Sequence, residues 1–267
     1  MEKNDSKPPL LSIVIPAYNE ADNLQSDRLQ RLEECLMHEP YESEVILVDD
    51  GSLDSTADLL TQFSSRNSRF SVLRNSHRGK AHAVSTGVLA ARGDYVLFMD
   101  MDQATSLEHI GEFVAILKKG ESDIVIASRE LHGSVRLHAP WLRRLLGKMF
   151  NLLAQALLLP GIWDTQCGFK AFRRDVAQEL FQSLVVFGSG EDVKGPRVTA
   201  FDVELLVAAR RRGYRIKQQP VTWRHTKSAG VHVLREPYRM LRELLLVWLA
   251  DRRGRYQPAR GRDGRTG

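Results

Sequence analysis

Short apolar runs recur along the first half of the chain, at residues 10–15, 44–48, 70–73, 95–99 and 123–127. Each is too short for a helix and rich in strand formers, so each predicts a buried β-strand. Longer segments of mixed polarity lie between them. These predict helices at about residues 21–38, 55–65, 79–91 and 107–118, the second capped by Asp54 or Ser55 and the fourth near Thr105 or Ser106. Strand and helix alternate as far as Arg129. That pattern predicts an α/β fold, a mostly parallel central sheet with helices on both faces.

The second half is less regular. A helix is expected over 141–159, with Arg143 and Arg144 near its start, an apolar end over 149–159 that reads as core or dimer interface slightly ahead of a membrane seat, and Pro160-Gly161 as its stop. Further helices are expected at 174–183, 201–212 and 237–249, and a strand over 214–223. The glycine-rich stretch 188–196 reads as a mobile loop and 224–233 as a polar one. Residues 1–9 and 251–267 read as disordered ends. They leave one domain over 10–235 and an amphipathic C-terminal helix over 236–250.

Polar residues fall regularly at the strand ends. Tyr18 and Glu20 follow the first, Asp49 and Asp50 the second, Asp100 and Asp102 the fourth, Ser128 and Arg129 the fifth. In a parallel sheet these positions share one edge, where open α/β sheets bind ligands. Asp100 and Asp102, with Gln103 beside them, suit a hard divalent cation that keeps positions open for phosphate oxygens. From this stretch alone, capping of the next helix is an equal reading of the pair.

Composition narrows the picture. The 267 residues are 43% hydrophobic, enough for one sizeable α/β domain. Lysine and arginine outnumber acidic residues 38 to 33, and six arginines against one carboxylate lie between Arg252 and Arg265. Such an end suits anionic lipid or simple solubility; no nucleic-acid partner is expected. Cys35 and Cys167 lack metal-ligand spacing and imply no disulfide framework, which points to a reducing compartment. The polar N-terminus has no signal-peptide pattern, and no run of about 20 apolar residues occurs.

SIVIPAYNE at 12–20, VILVDDGSLDST at 45–56, HRGKAHAVSTG at 77–87 and MDMD at 99–102 resemble glycosyltransferase family 2, whose fold is the nucleotide-sugar-binding GT-A domain. DTQCGFKAF at 164–172 and AFDVELL at 200–206 resemble its dolichyl-phosphate glucosyltransferase members. The matching pieces span roughly residues 10–235. Met101 stands where the family commonly has alanine, with the acidic spacing kept. Eukaryotic members usually carry a membrane anchor; here a cytoplasmic protein, peripherally bound to the inner face of a membrane, is expected.

The resemblance implies an inverting transfer of hexose from a nucleotide sugar to a polyprenyl or dolichyl phosphate, assisted by Mg or Mn. UDP-glucose is the favoured donor and GDP-mannose the second. A sugar hydroxyl is the alternative acceptor; it would need a general base, for which residues 190–192 are the nearest substitute. The resemblance gives Pro16, Ala17, Tyr18, Glu20, Asp49 and Asp50 to the base and ribose, and Asp100, Met101 and Asp102 to the donor. Tyr18 can pack on a flat base, and Glu20 also reads as a helix-N-terminal charge. Lys80, at a helix start, is placed to meet the nucleotide or a phosphate. Asp100, Asp102 and Gln103 form the expected metal set. Asp164 is expected to bind sugar or orient the acceptor. Arg129, with one of Arg143 and Arg144 and more weakly Arg224, is expected to hold the acceptor phosphate. One of Asp202 and Glu204 should face the site, Asp202 the better choice, since positions two apart on a helix diverge. Gly168 reads as a close-approach glycine, Cys167 as small and buried, and the histidines as surface or capping residues.

Overall fold

A computed structural model of the chain describes residues 8–137, 141–188, 199–225 and 236–257. In the first half, β1 (Leu11–Ala17), β2 (Ser43–Asp49), β3 (Phe70–Arg74), β4 (Tyr95–Met99) and β5 (Ile124–Ser128) follow the apolar runs. They are joined by α1 (Ala21–Leu24), α2 (Arg28–Met37), α3 (Thr56–Ser64), α4 (Lys80–Ala90) and α5 (His109–Lys118). The helix expected over 21–38 is therefore two. Between them the Ser26 hydroxyl donates to the Asn23 carbonyl, a local bond that competes with helix continuation.

The second half adds β6 (Val135–Leu137), α6 (Trp141–Leu157), β7 (Phe169–Arg173), α7 (Arg174–Gln182), α8 (Phe201–Arg211), β8 (Ile216–Pro220), β9 (Thr222–Arg224) and α9 (Glu236–Arg252). The strand expected over 214–223 divides at Val221, and its two parts enter different sheets. Neither β6 nor β7 is foreseen by the apolar pattern: Lys170 and Arg173 interrupt the β7 run.

Seven strands form the main sheet in the order β3-β2-β1-β4-β7-β5-β8, and β6 pairs with β9 in a small second sheet. All pairings in the main sheet are parallel except those of β7, which runs antiparallel to β4 and β5. Met99 of β4 faces Phe169 of β7. The start of β7 thus lies at the carboxyl end of β4, beside Asp100.

Alternation along the strands fills two cores. Val14, Ile46, Val48 and Phe98 face one, shared with α4, α7, α8 and α9; Ile13, Ile15, Leu47 and Leu97 face the other, shared with α2 and α5. Helix α9 is integral to the first core through Leu244, Val247 and Ala250. The disordered end expected over 251–267 is corrected for residues 251–257. Asp251 takes two bonds of 2.6 Å from the Arg211 guanidinium, and Tyr256 is fully buried with its hydroxyl 2.7 Å from Glu204. Residues 1–7 and 258–267 lie outside the described residues.

Candidate active site

The first wall of the site is built by turns. Asp50, buried after β2, accepts bonds from the backbone N–H groups of Arg78 (3.1 Å) and Gly79 (2.8 Å), and its Oδ2 lies 2.8 Å from His77 Nδ1. It thereby fixes the loop that opens α4. Gly79 takes a φ of 90°, which a residue with a Cβ rarely adopts. Asp49 accepts from the Ser52 N–H at 3.2 Å. His77, expected on the surface or at a cap, stacks on Tyr18 with ring centres 3.8 Å apart and planes 7° from parallel. One face of Tyr18 is therefore taken. Pro16 and Ala17 end β1 opposite Val48 and Asp49. Glu20 donates its backbone N–H to Thr56 at 2.7 Å. Burial raises the Glu20 carboxyl above its usual range; a bond from Asn23 opposes this, while the charges of Asp102 and Asp100 add to it. Glu20, Asp100 and Asp102 therefore lie near enough to act on one another.

Lys80 crosses the edge to the acidic pair. Its Nζ lies 2.5 Å from Asp100 Oδ1. Burial alone would favour the neutral amine, yet Asp100, with Asp202 and Asp102 beyond, holds the ammonium charged to well above the ordinary lysine range. On the other side of Asp100 is Gly168, where an added Cβ would stand 2.1 Å from Oδ2. The close approach expected of this glycine is thus toward the acidic pair. Asp102 Oδ1 accepts from the Ala104 N–H at 3.1 Å, and its carbonyl accepts from Arg28. Gln103, at a φ of 49°, donates its amide to the Arg28 carbonyl at 2.7 Å. Among the described residues no three His, Cys, Asp or Glu side chains gather at metal-ligand spacing. Met101, between the two acidic residues, is 2% exposed and packs in the core.

The second wall is built by buried ion pairs. Asp164, fully buried, receives Arg129 through Nε (2.7 Å), Nη2 (2.9 Å) and the backbone N–H (2.9 Å). Burial would raise its pKa, but the guanidinium overrides this and holds the carboxyl at about 2. Arg129 also lies over the Trp223 ring at 5.3 Å, and its Nη1 makes no hydrogen bond among the described residues. Beneath the site Lys170, fully buried, bonds Asp202 and the Cys167 carbonyl, both at 2.5 Å. Asp202 turns toward the site, as expected. Glu204 turns away and accepts from the N–H groups of Val185, Val186 and Phe187 and from the Tyr256 hydroxyl. Burial pushes the Cys167 thiol up to about 11, which suits a small core residue. Arg144 is exposed on α6 and Arg224 on β9. The side chain of Arg143 and residues 190–192 lie outside the described residues.

The sequence model of "Glycosyl transferase family 2" matches residues 12–181. The chain belongs to glycosyltransferase family 2. A dolichyl-phosphate beta-glucosyltransferase of Trichomonas vaginalis is 33% identical, covering 84% of this chain and 68% of that protein. One from Dictyostelium discoideum is 32% identical, covering 89% and 73%. A mannosyltransferase from Pyrobaculum calidifontis, solved with GDP-Man and Mn2+, superposes with a TM-score of 0.57 at 20% identity, covering 92% of this chain and 65% of that one. That likeness establishes the GT-A fold.

For this glycosyltransferase, sequence reasoning brought Tyr18, Glu20, Asp49, Asp50, Lys80, Asp100, Asp102, Arg129 and Asp164 to one sheet edge or its floor. It missed His77, Arg28 and Lys170. His77 and Lys170 sit inside quoted motifs, so their positions were available; their partners were not. Arg28 lies in an unremarkable polar helix and carried no signal.

Proposed function

We propose that this glycosyltransferase moves glucose from UDP-glucose to a polyprenyl or dolichyl phosphate, with inversion at the sugar carbon and with a divalent cation at Asp100 and Asp102. One observation carries the reading: Gly168 of DTQCGFK abuts Asp100, so the stretch that resembles the dolichyl-phosphate glucosyltransferases forms the wall facing the acidic pair. The relatives that bear that name support the same acceptor.

The donor set fits a hard ion. Asp100 and Asp102 are oxygen ligands at an open strand end, and Glu20 adds negative charge; diphosphate oxygens would complete such a shell. When bound, the ion supplies Lewis-acid stabilisation of the departing diphosphate. Lys80 adds a cation on the same side. The outer face of Tyr18 is suited to the base. A phosphate acceptor is already anionic and needs cations rather than a strong base. Arg129 is held rigidly by Asp164, so its Nη1 edge can meet a phosphate oxygen without reorganisation. Asp164 then acts as the residue that positions Arg129. Among the described residues no helix is long and apolar enough to cross a membrane. In this reading a lipid acceptor is met at the inner surface of the bilayer.

The test is direct. Purified protein is incubated with labelled UDP-glucose or GDP-mannose, a polyprenyl phosphate, and Mn2+ or Mg2+, and lipid is extracted. Label should enter lipid from UDP-glucose and require the cation. Label from GDP-mannose alone, or transfer to a sugar hydroxyl instead, overturns the reading.

A further inference from the structure

Asp100 has little freedom. Its Oδ1 accepts the Lys80 ammonium at 2.5 Å, and its Oδ2 fills the space a Cβ at position 168 would need. A dication on Oδ1 would stand beside an ammonium already bonded to that atom, and two positive charges at contact distance repel strongly. Lys80 side chain is 31% exposed, so it has a way out toward the edge where a diphosphate would lie. Gly79 and the Asp50-braced loop fix its backbone, so the movement belongs to the flexible side chain.

We propose that Lys80 is a tethered competitor of the metal, paired with Asp100 until donor diphosphate and cation arrive together, when the lysine passes to the diphosphate. The proposal deepens the metal reading above and rests on it. Its consequence is synergy: bare cation binds poorly, and nucleotide diphosphate improves cation binding by giving Lys80 another anion.

The experiment measures Mn2+ binding to the full chain by the electron paramagnetic resonance signal of free Mn2+, with and without UDP. Wild type is compared with Lys80→Met, Lys80→Gln and Lys80→Arg. Without UDP the Met and Gln variants should bind Mn2+ at least about tenfold more tightly than wild type, the worth of one charge-assisted hydrogen bond. The Arg variant, which keeps the charge, should stay near wild type. UDP should tighten Mn2+ binding far more in wild type than in Lys80→Met. If wild type binds Mn2+ with UDP but the Met and Gln variants do not bind bare Mn2+ more tightly, the competition is wrong and the metal reading stands. Tightening by Lys80→Arg as large as by Lys80→Met also overturns it. Absence of Mn2+ binding by wild type even with UDP overturns both.

Discussion

The two walls of the active site hold their charges in different ways. On the β1–β4 side, Asp49, Asp102 and Asp50 accept backbone N–H groups, from Ser52, Ala104 and the loop at 78–79, and Asp100 pairs with a half-buried lysine, Lys80. On the β7–α8 side, charges are held by one another inside the core: Arg129 by Asp164 and Lys170 by Asp202. In the first arrangement Asp100 and Asp102 stay partly exposed at an edge, able to exchange partners for a ligand. The second fixes a cation rigidly but makes each partner hostage to the other, because a lone charge in that position is not solvated. Under the proposed function, the difference suits a transferase whose donor side rearranges and whose acceptor side keeps one guanidinium in place.

The largest effect should come from breaking the buried wall. Asp164→Ala strands the Arg129 guanidinium and should cost about 3–5 kcal/mol of stability, read from the urea midpoint. A loss below about 1 kcal/mol would mean that the second wall is no more rigid than the first.

The next tests the exposed wall. Asp102→Asn keeps an acceptor for the Ala104 N–H, so the fold should persist with an unchanged thermal midpoint. A neutral amide is a poor partner for a hard cation, and turnover should fall by about 10²–10³, in line with loss of one transition-state electrostatic contact. Near-normal turnover at limiting metal would remove Asp102 from the site.

The same contrast decides what the sequence could tell. Asp49 and Ser52 are three residues apart, and Asp102 and Ala104 two apart, so local spacing already placed those groups at a strand end. Arg129 and Asp164 are separated by 35 residues and Lys170 and Asp202 by 32. Nothing in local spacing states those pairings. They depend on β7 inserting antiparallel between β4 and β5, and β7 was missed because Lys170 makes its sequence look polar. The parallel half of the sheet was legible from apolar runs alone. Tyr256 was lost for a related reason, since an arginine-rich segment concealed one residue that the core takes in.

A third test uses acid. The Asp164 carboxyl titrates at about 2 in the folded protein, below its ordinary 3.8, so the unfolded chain binds the proton more readily. Its contribution is fully present above about pH 4 and is lost as pH falls toward 2, an effect of about 2 kcal/mol. Asp164→Asn should flatten the stability profile in that window relative to wild type. An unchanged slope would assign the acid sensitivity to other groups with lowered pKa values, such as Asp123 and Glu44.

The smallest expected effect concerns how an acceptor lipid reaches the rigid wall. Residues 149–159 read as core or dimer interface slightly ahead of a membrane seat, and the structure divides them: Ala154, Leu158 and Leu159 are buried, while Met149 and Leu152 are exposed. Trp141 is 75% exposed, Met149 58% and Leu152 61%, and with Leu145 they follow one helical face of α6. Arg144 and Lys148 are exposed on the same helix, and α6 packs against α9, which exposes Tyr238, Leu241, Leu245 and Leu249. Apolar side chains flanked by basic ones suit an anionic bilayer surface, where each cation contributes about 1 kcal/mol. Leu152→Glu should lower the fraction floating with phosphatidylglycerol vesicles by about tenfold, because one apolar contact is lost and a like charge gained. Met37→Glu is the control: Met37 is 68% exposed on α2, among polar neighbours. Neither variant should move the thermal midpoint, since neither side chain is buried. Equal flotation of Leu152→Glu and wild type would take α6 off the membrane and leave the exposed side of α9, which Leu245→Glu tests without touching the core.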